Sequence, residues 1–471
     1  MRPQASRKTC AHKGRLSAKK KFRMPSADSV NSCAVPDDRA PSLSLPAATS
    51  IVVASMVGTG VFTSLGFQLP GIPSGFPILV LWAAGGVISL CGAFCYAELG
   101  AMLPRSGGEY HLLAKAYHSL LGFLAGWVSM TAGFAAPIAA AALLFGSYMH
   151  GIWPVLDERA MGVGLVLGIM CVQLCHLRLI ERFQLGFTLL KIGLVLAFIA
   201  GACTFAAKDW ILLAPKTGDG PLFVSESYAV SLVYVMYAYA GWNSASYVAG
   251  EICDPHRNLP RALMWGTVLV TVLYILLNAV FLITTPWDAM KNQEQVGLIA
   301  GRAIFGQSGG DAAGALIAFG LIAHVSAMLF SGTRVLRVIG QDAHALRAFD
   351  RPNRLGAPWL AVVLITVFVL VLMLTGRFEQ LLLYIQGLLL LSSFLCVLAV
   401  PWLRWRMPRA ERPFKVPWYP LPVILYSLVT LWMLVALAID KPTESAWGAA
   451  TLVIGVVLYY VSKNRSQPQQ S

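Results

Sequence analysis

The stretch ASMVGTGVFTSLG, residues 54–66, decides the fold of this chain. It contains three glycines and several serines and threonines, yet it lies in a run of residues apolar enough to cross a bilayer. Because glycine is among the weakest helix formers, the pattern predicts a break inside a membrane helix. A break leaves backbone N–H and C=O groups unpaired, which lipid tolerates only where protein or a polar ligand pairs them. We therefore expect the break to line a cavity.

The composition of the 471-residue chain excludes a water-soluble globular domain. Hydrophobic residues make up 57% of the chain and charged residues 12%, and the mean hydropathy is +0.66. Apolar runs long enough for a hydrocarbon core of about 30 Å recur along the chain without the alternation of barrel strands. We expect an all-α polytopic membrane protein with twelve transmembrane helices, at residues 47–69, 77–97, 119–146, 160–176, 184–206, 227–249, 262–284, 312–335, 358–375, 380–403, 420–439 and 446–462.

The distribution of basic residues predicts the orientation of these helices. If the N-terminus is cytoplasmic, 28 of the 36 Lys and Arg residues fall in the tails and inner loops, and 7 fall in the outer loops. Basic residues concentrate on the cytoplasmic side of membrane proteins. We therefore expect a multi-pass protein of the plasma membrane with both termini in the cytoplasm. The net charge of +14 then reflects topology and contact with membrane lipid, and nucleic acid is not an expected partner.

Two terminal segments, residues 1–45 and 463–471, are expected to be cytoplasmic tails. Nine of the first 23 residues are Lys or Arg, so the N-terminal tail is too polar to form a core and is expected to be disordered. Its basic start is also typical of an organellar transit peptide, or the native chain begins at Met24. The sequence leaves these alternatives open.

The nine cysteines indicate neither a metal site nor a disulfide framework, because most lie within the apolar runs and none has metal-ligand spacing. We expect no metal and no cofactor. No cysteine lies in an outer loop where it could tether a second chain. An accessory subunit is therefore not expected.

A second break is expected five spans after the first. The sixth apolar run contains AGWN, residues 240–243, which interrupts it much as glycine interrupts the first. An odd offset reverses the direction of crossing, so residues 46–206 (helices one to five) and 227–403 (helices six to ten) can form an inverted repeat, with residues 420–462 as helices eleven and twelve. Paired breaks of this kind mark a transporter site near the bilayer midplane. Taken singly, each glycine motif is also compatible with close helix packing.

The breaks also indicate the charge of the ligand. Free N–H groups at the start of a half-helix favour a carboxylate, and exposed carbonyl groups favour an ammonium. A ligand that carries both groups is an α-amino acid. No acidic residue lies in the middle of a span to balance a cationic side chain, which favours neutral amino acids.

Five stretches together resemble the amino acid/polyamine/organocation superfamily, and most closely its bacterial permeases that are similar to L-type amino acid transporters. The resemblance implies a LeuT-type fold of five plus five inverted helices, with helices one and six discontinuous. The stretches are VGTGVF at 57–62, YAELGAMLPRSGGEY at 96–110, YAYAGWN at 237–243, GEICDPHRNLPRAL at 250–263 and RPFKVPWYP at 412–420.

The resemblance implies a substrate site between the two breaks. The substrate carboxylate would bind backbone N–H groups, and the hydroxyl of Thr59, at Val57, Gly58, Thr59 and Gly60. The amino group would bind carbonyl groups at Tyr237, Ala238 and Ala240, with Trp242 and Asn243 flanking the pocket. The ring of Tyr237 would cover the ligand as an aromatic gate.

Lys191 is the only full charge well inside a predicted span. One alternative is that it extends along lipid to the nearby interface. The resemblance implies instead that its ammonium replaces the sodium ion of sodium-coupled relatives. It would then bind the first break near Ser55 or Val57 and helix eight near Ser326, and transport would not require sodium. A coupling role in proton transfer is a further expectation.

Other polar residues have two interpretations each. His324, deep in helix eight, is either a core histidine or a proton carrier, and the former is favoured. Glu98 and Glu251 end helices two and six near arginines, where they form either gate-stabilising ion pairs or solvated helix ends.

The function predicted is transport of neutral α-amino acids by alternating access, without sodium. Helices one, two, six and seven would move against helices three, four, eight and nine, in either amino acid exchange or proton symport. The alternatives are a membrane enzyme with His324 as a general base, and a non-transporting amino acid sensor.

Overall fold

The computed structural model describes residues 43–175, 177–205, 209–342, 353 and 358–465. Regular structure in these residues is helical, apart from an isolated bridge between Leu43 and Ile252. Of the predicted tails at 1–45 and 463–471, residues 1–42 and 466–471 lie outside the described residues. Residues 43–465 therefore carry the whole of the fold presented below.

The helices of the first half of the chain are numbered in chain order. They are α1 Leu45–Met56, α2 Ser64–Gln68, α3 Gly75–Met102, α4 Gly108–Ala116, α5 Ser119–Val128, α6 Ala136–Ile152, α7 Glu158–Cys175 and α8 Leu177–Phe205. A π-helical segment, Ser129–Ala135, joins α5 to α6, so that these form one continuous rod.

The helices of the second half follow the same numbering. They are α9 Glu226–Tyr239, α10 Pro255–Thr284, α11 Trp287–Met290, α12 Val296–Asp342, α13 Trp359–Thr375, α14 Phe378–Arg406, α15 Leu421–Asp440 and α16 Pro442–Arg465. Gly306 interrupts α12 with a φ of 74°, a left-handed conformation that glycine adopts without strain.

Seven helical stretches among the described residues are long and apolar enough to cross a membrane, and three shorter apolar helices accompany them. The chain is therefore an all-α polytopic membrane protein. The predicted span 160–176 corresponds to α7, and the first part of the predicted span 227–249 corresponds to α9. Neither helix is among the seven long stretches or the three shorter apolar helices. The count of twelve membrane helices and the domain boundaries of the inverted repeat stay predictions.

The core of the protein surrounds the rod of α5 and α6. The most apolar part of Ser119–Ile152 is almost wholly buried, whereas that of Pro442–Val461 is mostly exposed and lies at the periphery. Helix α10 packs closely on α3, and α1 packs on α10. A Cβ atom at Gly86 of α3 would lie 2.3 Å from Thr271 of α10, so glycine is what permits this approach.

A buried ion-pair cluster joins the carboxyl ends of α3 and α14. Glu98 is 2% exposed, and its carboxylate accepts hydrogen bonds from Arg404 at 2.5 and 2.9 Å and from the Val416 N–H at 2.8 Å. Arg412 lies 3.4 Å away, and the Arg404 guanidinium stacks on the Tyr419 ring at 3.8 Å. The ion-pair interpretation of Glu98 is confirmed, and the cluster fixes residues 412–419 to the two helices.

We expect Glu98→Gln to lower the free energy of unfolding by about 3 kcal/mol, because two guanidinium groups lose the carboxylate that compensates them. The melting temperature of purified protein in detergent measures this. Asp288→Asn is the matched control, since its pair with Lys291 is exposed, and its melting temperature should equal that of wild type. Equal melting temperatures for the two variants would contradict the assigned role of Glu98.

Candidate functional site

The first break separates α1 from α2. Helix α1 ends at Met56, residues 57–59 are irregular, and a single 3₁₀ turn, Gly60–Phe62, precedes α2. The whole segment is buried, with Thr59 only 3% exposed. The N–H groups of Thr59 and Gly60 donate to no backbone or side-chain acceptor among the described residues. The predicted interruption of helix one is therefore present, and it leaves peptide donors unpaired inside the protein.

The second break ends α9 at Tyr239. Residues 240–243 form a turn, and a 3₁₀ segment, Ser244–Glu251, continues the chain. Gly241 has a φ of 102°, and a Cβ atom there would lie 2.8 Å from the Cβ atom of Ser55. Both the backbone conformation and the close approach to the first break therefore require glycine. Both breaks predicted from the sequence are present, and at this point they are in direct contact.

The two breaks also meet at the positions predicted to bind substrate. The Thr59 and Tyr237 hydroxyls form a hydrogen bond of 2.7 Å. A Cβ atom at Gly60 would lie 2.5 Å from the Ala238 Cα atom, so the two backbones touch. Residues 178 positions apart in the sequence thus form one buried site.

Tyr274 of α10 connects the two breaks by hydrogen bonds, although it was not among the residues predicted from the sequence. Its hydroxyl donates to the Met56 carbonyl oxygen at 2.6 Å and to the Ala238 carbonyl oxygen at 3.1 Å. Tyr274 is fully buried, and the Asn278 amide donates to its carbonyl at 2.8 Å. A pair of polar residues four apart in an apolar run was the only signal in the sequence. The Ala238 carbonyl therefore already has a donor within the protein.

Lys191 lies behind the first break, where it lines a small cavity with Val57, Gly58 and His324. Lys191 thus lies on the same cavity as Val57, one of the two residues of the first break that it was predicted to bind. No hydrogen bond from the Lys191 ammonium to Ser55 or Ser326 is found among the described residues, and the Ser326 carbonyl accepts instead from the Gln173 amide at 2.9 Å.

His324 touches the first break directly. A Cβ atom at Gly58 would lie 3.2 Å from the His324 Cε1 atom, and the side chain is 6% exposed. The histidine therefore limits the space beside Gly58.

The remaining predicted residues, Ala240, Trp242 and Asn243, belong to the second break itself. The Trp242 ring lies 4.8 Å from the Tyr96 ring in an edge-on contact, and it is 5% exposed. The Asn243 amide donates to the Glu109 carboxylate at 3.1 Å. Ala240, by contrast, is partly exposed and makes the turn out of α9.

Glu109 is the second residue that the sequence analysis left without a role, although it lies in the stretch 96–110. Burial raises the pKa of its carboxyl above the usual range, and hydrogen bonds from Ser392, Tyr96 and Asn243 oppose that rise. Within the described ranges, no group of three or more His, Cys, Asp or Glu side chains is arranged to hold a metal ion. The site is thus built from peptide groups, hydroxyls and one buried carboxyl group.

Characterised proteins similar to this chain are amino acid transporters. The b(0,+)-type amino acid transporter 1 of Mus musculus is 28% identical over 421 residues, which are 87% of this chain and 85% of the relative. The Large neutral amino acids transporter small subunit 2 of Homo sapiens is 28% identical over 438 residues, or 89% of this chain and 80% of the relative. These relatives are transporters and not enzymes, which removes the membrane enzyme as an alternative.

The relatives contradict the expectation that no accessory subunit is needed. The name of the second relative makes it the small subunit of a transporter, so an assembly partner occurs among similar proteins. The expectation was wrong because the lack of an outer-loop cysteine excludes only a covalent tether and leaves non-covalent association open.

The match to the family covers nearly all of the described residues. The sequence model of the amino acid permease family matches residues 43–459, which include both breaks, Tyr274, Lys191 and Glu109. The chain therefore belongs to the amino acid permease family.

Proposed function

We propose that this protein is a sodium-independent permease of neutral α-amino acids that works by alternating access. It would lie in the plasma membrane with both termini in the cytoplasm, and its twelve helices would form five plus five inverted repeats and two more. The observation that carries the proposal is the meeting of two helix breaks, where Thr59 bonds Tyr237 and Gly60 touches Ala238.

The main-chain groups of an amino acid match what the breaks offer. The unpaired N–H groups of Thr59 and Gly60 suit a carboxylate at the start of a half-helix. The carbonyl groups at the end of α9 suit an ammonium, and at Ala238 the ammonium would share or displace the Tyr274 hydroxyl. Tyr237 would cover the ligand, with Val57, Gly58, Ala240, Trp242 and Asn243 as the other proposed binding residues.

Neutral side chains are favoured by the surroundings of the breaks. Apart from Lys191 and His324 beside the first break, the residues described above around the breaks are mainly apolar, aromatic or hydroxylic. The buried Glu109 carboxyl group is already bound by three donors. The name of one relative specifies large neutral amino acids.

Sodium independence rests on Lys191. Its side chain lies beside Val57 and Gly58, so its ammonium would supply positive charge behind the first break, with Ser55 and Ser326 as nearby coupling residues. Uptake measured with sodium replaced by choline should then equal uptake with sodium.

The experiment that tests the function is uptake of radiolabelled neutral amino acids into proteoliposomes. The thermal shift of the purified protein with each of the twenty amino acids selects the substrate, because a ligand of the folded form raises its stability. Uptake driven by an inward proton gradient into empty vesicles indicates symport, and dependence on preloaded amino acid indicates exchange. Binding without uptake under either condition would contradict transport and favour the sensor.

Gly60→Ala is expected to reduce uptake at least about tenfold, since the new methyl group cannot fit against the Ala238 backbone without separating the breaks. Initial uptake rate per amount of inserted protein measures this. Gly168→Ala on α7 is the matched control, because a Cβ atom there meets nothing within 4 Å, and its uptake should be unchanged. Normal uptake by the Gly60→Ala protein would show that the contact is irrelevant to transport.

Tyr274→Phe is expected to lower both uptake and stability, because two buried carbonyl groups lose their shared donor at a cost of about 1–3 kcal/mol. Tyr228→Phe is its control: that hydroxyl donates at 3.1 Å to the Pro77 carbonyl, away from the breaks. The control should lose stability but keep its uptake rate, measured alongside the melting temperature. If the two variants lost uptake equally, Tyr274 would have no special role at the site.

A further inference from the structure

Glu109, at the start of α4, is a buried carboxylate that binds three neutral donors. It is 1% exposed. The Tyr96 hydroxyl donates to its Oε1 atom at 2.5 Å, and the Asn243 amide donates to the same atom at 3.1 Å. The Ser392 hydroxyl donates to its Oε2 atom. Both carboxylate oxygens are therefore used, although each partner is an uncharged side chain.

Glu109 has no ion-pair partner: among the described residues no Lys or Arg forms a salt bridge with it. The titratable groups that interact with it are the phenols of Tyr96, Tyr247 and Tyr426 and the thiol of Cys396. Burial disfavours the ionised form of Glu109, and hydrogen bonds from neutral donors are what favours it here.

The three donors come from separate parts of the fold. Tyr96 belongs to α3, Ser392 belongs to α14, and Asn243 is the last residue of the second break. Asn243 also accepts, through its carbonyl, a 2.7 Å hydrogen bond from the Ser246 hydroxyl. The carboxyl group thus joins the end of the break to α3, α4 and α14.

We infer that Glu109 is a positioning residue for substrate binding and transport: it holds Asn243, and through it the turn 240–243, in the conformation that lines the site. The inference rests on the proposed function, in which the second break lines the substrate site. The hydrogen bond between Glu109 and Asn243 then fixes the end of that break to α4.

A double-mutant cycle on uptake tests this inference. Glu109→Gln keeps the volume but replaces one acceptor oxygen by a donor, and we expect uptake to fall roughly tenfold, as for loss of hydrogen bonds to a charged group. Asn243→Ala should cause a similar loss. Because the two residues act through one contact, the double variant should lose no more than the worse single variant. Losses that multiply would overturn the inference.

Glu379→Gln provides the matched control for the cycle. Glu379 accepts a 2.6 Å hydrogen bond from Tyr234, a residue of α9 that precedes Asn243 by nine positions. When Glu379→Gln is combined with Asn243→Ala, the fold-losses of uptake caused by the two substitutions should multiply. Glu109→Asp, which keeps the carboxylate on a shorter side chain, should recover part of the uptake that Glu109→Gln loses. If uptake by the Glu109→Asp protein is no faster than uptake by the Glu109→Gln protein, this also counts against the inference.

A second readout does not require transport. Ser246→Cys places a thiol beside Asn243 at a side chain that is 3% exposed, and labelling by N-ethylmaleimide reports how well the segment is held. Adding Glu109→Gln should accelerate labelling on the order of threefold or more, because the segment opens more often. The same protein without Ser246→Cys gives the background, and unchanged labelling would overturn the inference. If the Ser246→Cys proteins label as expected but wild type takes up no amino acid, the proposed function fails and the positioning role stands.

Two milder variants cover the case in which Glu109→Gln does not fold. Tyr96→Phe and Ser392→Ala each remove one donor and leave the carboxylate in place. Each should accelerate Ser246→Cys labelling by a smaller factor than Glu109→Gln, in proportion to the loss of one hydrogen bond. If both variants label as slowly as the protein with Ser246→Cys alone, the positioning role is contradicted.

Discussion

Peptide groups that leave a helix inside a membrane must find partners in the protein, and this requirement governs the centre of the structure. The chain leaves its helix twice, after Met56 and after Tyr239, and the two irregular segments lie against each other. Part of the requirement is met by Tyr274, whose hydroxyl serves one carbonyl from each segment. The amides of Thr59 and Gly60 have no acceptor among the described residues, so in the proposed function binding and folding would use the same kind of interaction.

The surrounding protein holds these segments by different means on different sides. Close backbone contact holds the side of Gly60, where a single methyl group has no space. Hydrogen bonds to a buried carboxylate hold the side of Asn243. On the third side Lys191 and His324 fill the space behind Gly58. Close packing, hydrogen bonds and charged or titratable side chains therefore act on three different sides of one site. A substitution on one side can weaken one of them without removing the others.

The parts of the site predicted from the sequence are those encoded locally. Gly58, Gly60 and Gly241 lower helix propensity where they stand, so both breaks could be located from the sequence alone. Tyr274 and Glu109 could not be identified, since their partners lie 218 residues away at Met56 and 283 residues away at Ser392. A tyrosine in an apolar run and a glutamate near a helix end have ordinary explanations until the fold brings these partners together. The prediction about an accessory subunit failed for another reason: cysteine positions carry information about covalent links only.

The contact between Gly60 and Ala238 has a consequence for how such permeases diverge. A side chain at Gly60 has no space there, and what the two segments present to each other is backbone, whose chemistry does not depend on the side chains. In the proposed site, recognition of the groups that all α-amino acids share would then depend on backbone geometry. New preferences among amino acids would have to arise at the surrounding side chains, by exchanges such as an aromatic ring for an aliphatic one.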